Sequence, residues 1–141
     1  MYGNTTFPVA IHAICSVAAL TERWKGPPAQ APVIAKSINT HEVVVRKVLS
    51  ALVRAKLLQV ERGARGGYTL AKPSKNISLA DVYNALSKER PFELHKKKGN
   101  PMCPVSRSIK PILSPIIDDV HETVLKTLAK KTIYNLVYKM K

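Results

Sequence analysis

The segment VERGARGGYTL, residues 60–70, sets two arginines among three glycines and leads directly into a run of strand-forming residues. The runs Leu58–Glu61 and Tyr68–Lys72 predict two β-strands, because β-branched and aromatic residues are enriched in them. A connection so rich in glycine is typical of a tight turn. The sequence therefore predicts a β-hairpin whose tip carries Arg62 and Arg65.

Three helices are predicted before this hairpin. Apolar residues recur at helical spacing in FPVAIHAICSVAAL, the stretch KGPPAQAP ends that helix, and VIAKSI forms a short second helix that ends at Asn39. Thr40 is the expected N-cap of a third helix over HEVVVRKVLSALVRAK. One side of that helix is an apolar stripe, and its outer face is basic. The outer face comprises Val43, Arg46, Lys47, Ser50 and Arg54.

Two further helices are predicted after the hairpin. Ser78–Asp81 has the spacing of a capping box and opens a fourth helix. Apolar residues then recur every three or four positions from Ile109 to Leu128, which predicts a long C-terminal helix. Pro111 and Pro115 should begin, break or kink it, and the pair Ser114-Pro115 is a plausible start.

The order of these elements predicts the fold class: mainly α with a small β-hairpin, arranged as a winged helix-turn-helix with a long C-terminal dimerisation helix. We assign residues 1–90 to the winged helix-turn-helix and residues 91–141 to a loop and the dimerisation region. A single long helix beside a compact domain exposes a row of apolar side chains that needs a partner. A homodimer with two-fold symmetry supplies that partner.

The charge of the chain indicates a polyanionic partner. Lysine and arginine number 23 against 9 acidic residues, a net charge of +14, which favours nucleic acid or an anionic surface. No stretch reaches the roughly 18 apolar residues that a membrane span needs. Two cysteines cannot form a disulfide framework, so we expect a cytoplasmic protein without membrane association. No arrangement of side chains suited to catalysis is present, and we predict that the chain is not an enzyme.

The third helix and the hairpin are the predicted DNA-binding elements. A helix in the major groove reads bases mainly with its first turns, which here carry Thr40, His41, Glu42, Val43, Arg46, Lys47 and Ser50. The hairpin tip would place arginine in the narrow minor groove, with glycines that allow close approach. The tip residues concerned are Arg62, Arg65, Gly66 and Gly67. The alternatives are an ordinary solvated helix face and a surface hairpin whose glycines only satisfy turn geometry.

The residues ALVRAKLLQVERGARGGYTLAKPSKNISLADVYNAL resemble the hallmark segment of the Rrf2 family of winged-helix transcription regulators. The resemblance lies in the pattern R-G-x-x-G-G-Y-x-L-A and in the capping box that follows it. It implies that Arg62 is the wing arginine that enters the minor groove, and that Gly66, Gly67 and Tyr68 form the wing tip and its strand. Arg46 and Lys47 stand where cluster-binding members have Glu-Gln, which implies a different operator or looser selectivity.

The cysteines bear on the signal that the protein senses. Family members that hold an iron–sulfur cluster supply three cysteines in the loop before the long helix, whereas this loop has only Cys103. One thiolate per subunit cannot ligate a cluster, so we predict no cofactor. Cys103 matches the cysteine of the clusterless subgroup, and three lysines precede it. It is a redox candidate, or alternatively a loop cysteine packed under the long helix.

The sequence as a whole predicts a dimeric regulator that binds double-stranded DNA at two-fold sites, and a repressor rather than an activator. The main alternative is a basic architectural or RNA-binding module that does not read sequence. A protein-interaction adaptor with a degenerate winged helix is a second alternative. The ratio of specific to random-sequence binding separates the first two classes.

Overall fold

The computed structural model describes residues 5–86 and 90–141, and it is mainly helical with one antiparallel hairpin, as the sequence predicts. The first helix, α1, continues into a π-helical segment at Ala18–Arg23, and a 3-10 turn at Ser74–Asn76 follows the hairpin. Within the described ranges, no helix is both long and apolar enough to cross a membrane. The elements are α1 (Thr6–Val17), α2 (Ala31–Ile38), α3 (Glu42–Arg54), β1 (Leu58–Glu61), β2 (Gly67–Leu70), α4 (Leu79–Ala85), α5 (Pro104–Ala129) and α6 (Ile133–Val137).

Helix α1 is the centre of the core. Its small residues Ala10 and Ala13 and its branched residues Ile14 and Val17 are fully buried. Helices α2, α3, α4 and α6 all pack against α1, because small side chains allow neighbouring helix axes to come close. The α3 stripe Val45, Val48, Leu49 and Leu52 closes the core from the opposite side.

A three-residue turn joins α2 to α3. Asn39 ends α2 in the left-handed conformation at φ 63°, which asparagine tolerates better than most residues. The amide of Thr40 donates to the carbonyl of Ala35 at 3.1 Å. The prediction that Thr40 caps α3 is therefore wrong: that amide already belongs to the end of α2, and His41 is the N-cap, with no side-chain cap bond.

The hairpin forms as predicted, with a shifted second strand. Leu58 pairs with Leu70 and Glu61 with Gly67, so β2 is Gly67–Leu70 rather than Tyr68–Lys72. It begins earlier because Gly67 pairs with the last residue of β1. It ends earlier because its last residue, Leu70, pairs with Leu58, the first residue of β1.

The C-terminal residues fold back onto the core. The capping box Ser78–Asp81 is confirmed, with the amide of Asp81 donating to Ser78 Oγ at 3.0 Å. A second box at Thr132–Asn135 opens α6, and the amide of Ile133 donates to the carbonyl of Ile77 at 2.9 Å. Both Ile133 and Val137 are fully buried in the core that α1 organises. The last helix thus belongs to the packing of the winged helix-turn-helix.

Helix α5 starts eleven residues before the predicted Ser114-Pro115. Cys103 is its N-cap and Pro104 its first residue, a position where proline is favoured. The helix runs through Pro111 and Pro115, both exposed, so water can reach the carbonyls that these prolines leave without an amide donor. At 26 residues it is about 39 Å long, and none of its residues is buried within the single chain.

Replacing Ile133 with alanine tests whether α6 stabilises the domain. Ile133→Ala should lower the free energy of unfolding by about 2–5 kcal/mol, because it opens a cavity in a closed core. Met140→Ala, at an exposed position of the same segment, is the control and should change it by less than about 0.5 kcal/mol. Urea unfolding followed by circular dichroism measures both values. If both variants changed the free energy of unfolding by the same small amount, α6 would not contribute to the stability of the domain.

Candidate nucleic-acid interface

The outer face of α3 is a shallow, basic groove open to solvent. Its lining consists of the residues that the sequence predicted for this face: Val43, Arg46, Lys47, Ser50 and Arg54. Val43 is 65% exposed although it is apolar. His41, at the N-cap, is exposed, while Thr40 and Glu42 are half-buried. A ligand that lies along this face would therefore meet three cations, one hydroxyl group and one apolar side chain.

Glu42 and Arg46 form an ion pair on this face. Arg46 Nε donates to Glu42 Oε2 at 2.6 Å, and the two side chains are 54% and 41% exposed. The hydrogen bond and charge of Glu42 raise the pKa of Arg46, with a smaller contribution from Tyr68. An exposed pair of this kind contributes little to stability, so Arg46 can exchange Glu42 for another acceptor at low cost. The spacing of four residues was the signal that could have predicted this pair.

The hairpin is fastened to the segment that leads into α2. Ala29 and Tyr68 exchange two backbone hydrogen bonds, at 2.9 and 2.7 Å. Gln30 Nε2 also donates to the carbonyl of Gly66 at 3.3 Å. The Tyr68 side chain also raises the pKa of Arg46, and Tyr68 is one pair from the hairpin tip, so the tip end of the hairpin lies beside the outer face of α3. The wing and α3 are thereby held as one surface, a link that the sequence did not predict.

The two adjacent glycines of the wing have internal reasons to be glycine. A Cβ on Gly67 would lie 2.6 Å from the carbonyl oxygen of Ala29, and one on Gly66 would lie 2.1 Å from that of Glu61. Both distances are far shorter than a van der Waals contact, and the atoms concerned belong to backbone held by its own hydrogen bonds. These glycines therefore allow the wing to pack closely against the backbone of its own chain.

Arg62 and Arg65 project from the loop between the strands. Both are exposed, and within the described part of the chain neither has a hydrogen bond or an ion pair. Arg65 lies at the edge of a groove that Pro27 and Pro28 also line. The two guanidinium groups are thus available to an anionic partner.

Comparison with known proteins agrees with this geometry. The family model Rrf2, described as an iron-dependent transcriptional regulator, matches residues 4–139. The chain belongs to the Rrf2 family. It is a DNA-binding transcriptional regulator with a winged helix-turn-helix, as its sequence resemblance implied.

Individual relatives cover nearly the whole chain. YwnA of Bacillus subtilis (strain 168), named as an HTH-type transcriptional regulator, is 34% identical over 134 residues, which are 95% of this chain and 96% of YwnA. The structure of CymR, the global cysteine regulator of B. subtilis, covers 100% of this chain and 99% of its own, with a TM-score of 0.68 and 20% identity. T. potens IscR covers 100% of this chain and 89% of its own, with a TM-score of 0.70 and 18% identity. The two structures support the fold.

The residues of this chain do not fit the iron that the family description implies. Cys15 lies in the core, where burial raises the pKa of its thiol to about 11 and disfavours the thiolate that binds metal. Across residues 5–86 and 90–141, no group of three or more His, Cys, Asp or Glu side chains is placed to hold an ion. Cys103 is the other cysteine, and it is the one thiol that lies near α5.

Cys103 is half-buried at the N-cap of α5. The backbone amides of Ser106 and Val105 lower the pKa of its thiol, since they can donate hydrogen bonds to the thiolate. The three lysines that precede Cys103 do not contribute to this shift. The start of α5 therefore favours the thiolate of Cys103, which is the form that reversible oxidation uses.

Proposed function

We propose that this chain is a cytoplasmic, homodimeric repressor that reads two-fold operator DNA with α3 in the major groove and the wing in the minor groove. Its activity would be binding rather than catalysis. The observation that carries the proposal is the Ala29–Tyr68 bridge, which fixes the wing arginines and the basic face of α3 in one surface. Occupancy of the operator would exclude polymerase.

Base reading is assigned to α3. Arg46 and Lys47 can donate to guanine N7 and O6, Glu42 can accept from cytosine N4, and Val43 can pack on a thymine methyl group. Thr40, His41 and Ser50 would donate to flanking phosphates or bases. Arg46 can leave Glu42 at low cost because the pair is solvent-exposed.

The wing is assigned to the minor groove. Arg62 is exposed and has no partner among residues 5–86 and 90–141. It would enter this groove, since a narrow groove concentrates negative potential. Arg65 would contact the neighbouring phosphates, and Gly66 and Gly67 hold the tip against the body of the domain. This division predicts that Arg62 contributes to sequence preference and Arg65 mainly to affinity.

Dimerisation is assigned to α5. Val105, Ile112 and Ile116 are strongly exposed and lie within about 40° of one another at 100° per residue. A second copy of α5 would bury this stripe and set two α3 helices on successive turns of the duplex. Such a dimer matches a two-fold operator.

The alternative is a basic module that binds DNA or RNA without reading sequence. The net charge of +14 favours it, because phosphate neutralisation alone gives substantial affinity. Selection of bound duplexes from a random pool decides between the two. Enrichment of a two-fold sequence supports the regulator, and an unenriched pool supports the alternative.

We also propose that the chain holds no iron–sulfur cluster, because two cysteines, one of them buried, are too few ligands. Protein purified anaerobically should be colourless and contain much less than one iron atom per chain. Visible absorption that scales with iron content would contradict the proposal. A redox role for Cys103 stays a prediction, supported by the lowered pKa of its thiol.

The wing assignment is tested by Arg62→Ala on an operator obtained by selection. We expect about tenfold weaker binding and loss of preference for A·T-rich flanks, because arginine favours the narrow minor groove of such flanks. Arg107→Ala, which removes an exposed arginine from α5, should leave both unchanged. Fluorescence anisotropy with duplexes of varied flanks measures them. Unchanged preference in Arg62→Ala would remove the minor-groove role.

The dimer assignment is tested by Ile112→Lys. A lysine in the middle of the stripe should give a monomer near 15.6 kDa, whereas the unmodified chain should have roughly twice that mass, because a buried unpaired charge is costly. Ala129→Lys adds the same charge at an exposed position on another side of α5 and should leave the dimer intact. Light scattering after gel filtration gives the masses. A dimeric Ile112→Lys would exclude this stripe as the interface.

A further inference from the structure

A cavity of about 260 Å³ opens between α1, the π-helical segment and α2, away from the outer face of α3. Its floor is formed by the buried residues Cys15, Ala19 and Ile34. Burial raises the pKa of the Cys15 thiol to about 11, so the floor is uncharged. The cavity is thus a recess with an apolar floor, open to solvent, in a protein whose net charge is +14.

The rim of this cavity consists of large apolar side chains that face solvent. Trp24, Val33 and Met140 are 59%, 53% and 45% exposed and surround the opening. Exposed apolar residues gathered around a recess, rather than scattered, indicate a binding site. Their exposure has no role in the DNA-binding surface described above.

A polar pair stands at the edge of this apolar rim. His12 Nε2 on α1 and Ser37 Oγ on α2 lie 3.0 Å apart, within hydrogen-bond distance, and both line the cavity. The Nε2 of His12 uses its single site to hold the hydroxyl in place, and Ser37 Oγ keeps a lone pair or its hydrogen for a further partner. One polar group on a bound molecule could therefore join this pair.

The π-helical segment forms one side of the cavity. Ala19 and Leu20, which belong to this segment, form part of the wall, and π-helical turns are frequent at functional sites. Arg23, the last residue of the segment, donates to the carbonyls of Val137 at 2.6 Å and Met140 at 2.8 Å. This clamp fixes the backbone of Met140, whose side chain lies at the rim.

From this geometry we propose that the cavity binds a small, uncharged, largely apolar effector that carries one hydrogen-bonding group, such as a substituted phenol. The volume sets the size: about 150 Å³ is enough to hold benzene in a dry cavity, and a peptide needs far more. The apolar walls select the ring, and the His12–Ser37 pair selects the hydroxyl.

The position of the cavity couples it to DNA binding, a step that rests on the proposed function. Helix α2, which contributes Val33, Ile34 and Ser37, is the first helix of the helix-turn-helix and packs on α3. Leu20 and Val33 also line the adjoining groove that extends to Arg65 on the wing. A molecule between α1 and α2 would thus bias the element that orients both α3 and the wing.

Binding is tested first without DNA, with p-cresol as the probe. Trp24 is the only tryptophan of the chain and lies at the rim, so its emission reports directly on the site. We expect p-cresol to change that emission saturably and toluene, which lacks the hydroxyl, to bind at least about fivefold more weakly, as the loss of one hydrogen bond requires. No saturable response to p-cresol would overturn the proposal.

Pairs of matched variants test whether the Trp24 response comes from binding in this cavity. Val33→Phe narrows the opening and should weaken p-cresol binding at least about tenfold by displacing the buried ring. Val60→Phe makes the same change at an equally exposed position of β1, 51% exposed, and should bind as the unmodified chain does. His12→Leu should abolish the preference for p-cresol over toluene. Equal binding by the two phenylalanine variants, with matching thermal melts, would overturn the site.

The effect on DNA is measured separately on the unmodified chain. Saturating p-cresol should change the affinity for the selected operator several-fold, and toluene at the same concentration should change it less. An unchanged affinity would overturn the role as effector. If the chain bound no operator at all, the Trp24 titration would still stand, so failure of the regulator function and failure of the site are distinguishable.

Discussion

The pair of backbone hydrogen bonds between Ala29 and Tyr68 is the constraint on which the proposed DNA-binding surface depends. It joins the wing to the entrance of α2, so a short hairpin that would be marginal alone becomes part of the helical domain. Gly67 must be glycine because a side chain there would strike the Ala29 carbonyl. Tyr68 then stands next to Arg46, and the two DNA-binding elements form one surface.

The apolar residues of the chain fall into two groups, one buried in the core and one exposed on α5. Small and branched residues of α1 bury themselves against four other helices, and α6 returns from the far end of the chain to complete that core. Helix α5 lies between these parts in sequence, yet none of its residues is buried. Helix α5 packs on α4, where His121 contacts Tyr83, and its exposed stripe is left available for a second copy of the chain.

The sequence predicts those features that depend on local periodicity and misses those that depend on distant partners. The helices, the hairpin and the Ser78–Asp81 box follow from spacing alone, and the family motif named the wing. Thr40 was misassigned because its amide bonds back to Ala35. The start of α5 was placed too late because exposed prolines are tolerated when water solvates the freed carbonyls. The bridge to Ala29 and the burial of Ile133 join residues far apart in sequence.

Affinity and discrimination fall to different residues in the proposed complex. A charge of +14 attracts any duplex, so the cations alone would bind everywhere. Glu42 opposes that attraction, because its carboxylate at the leading end of α3 is repelled by phosphates and gains only where it meets a donor such as cytosine N4. Until then it holds Arg46 at 2.6 Å. An operator that satisfies Glu42 leaves Arg46 free for a base of its own, and breaking the exposed pair costs little.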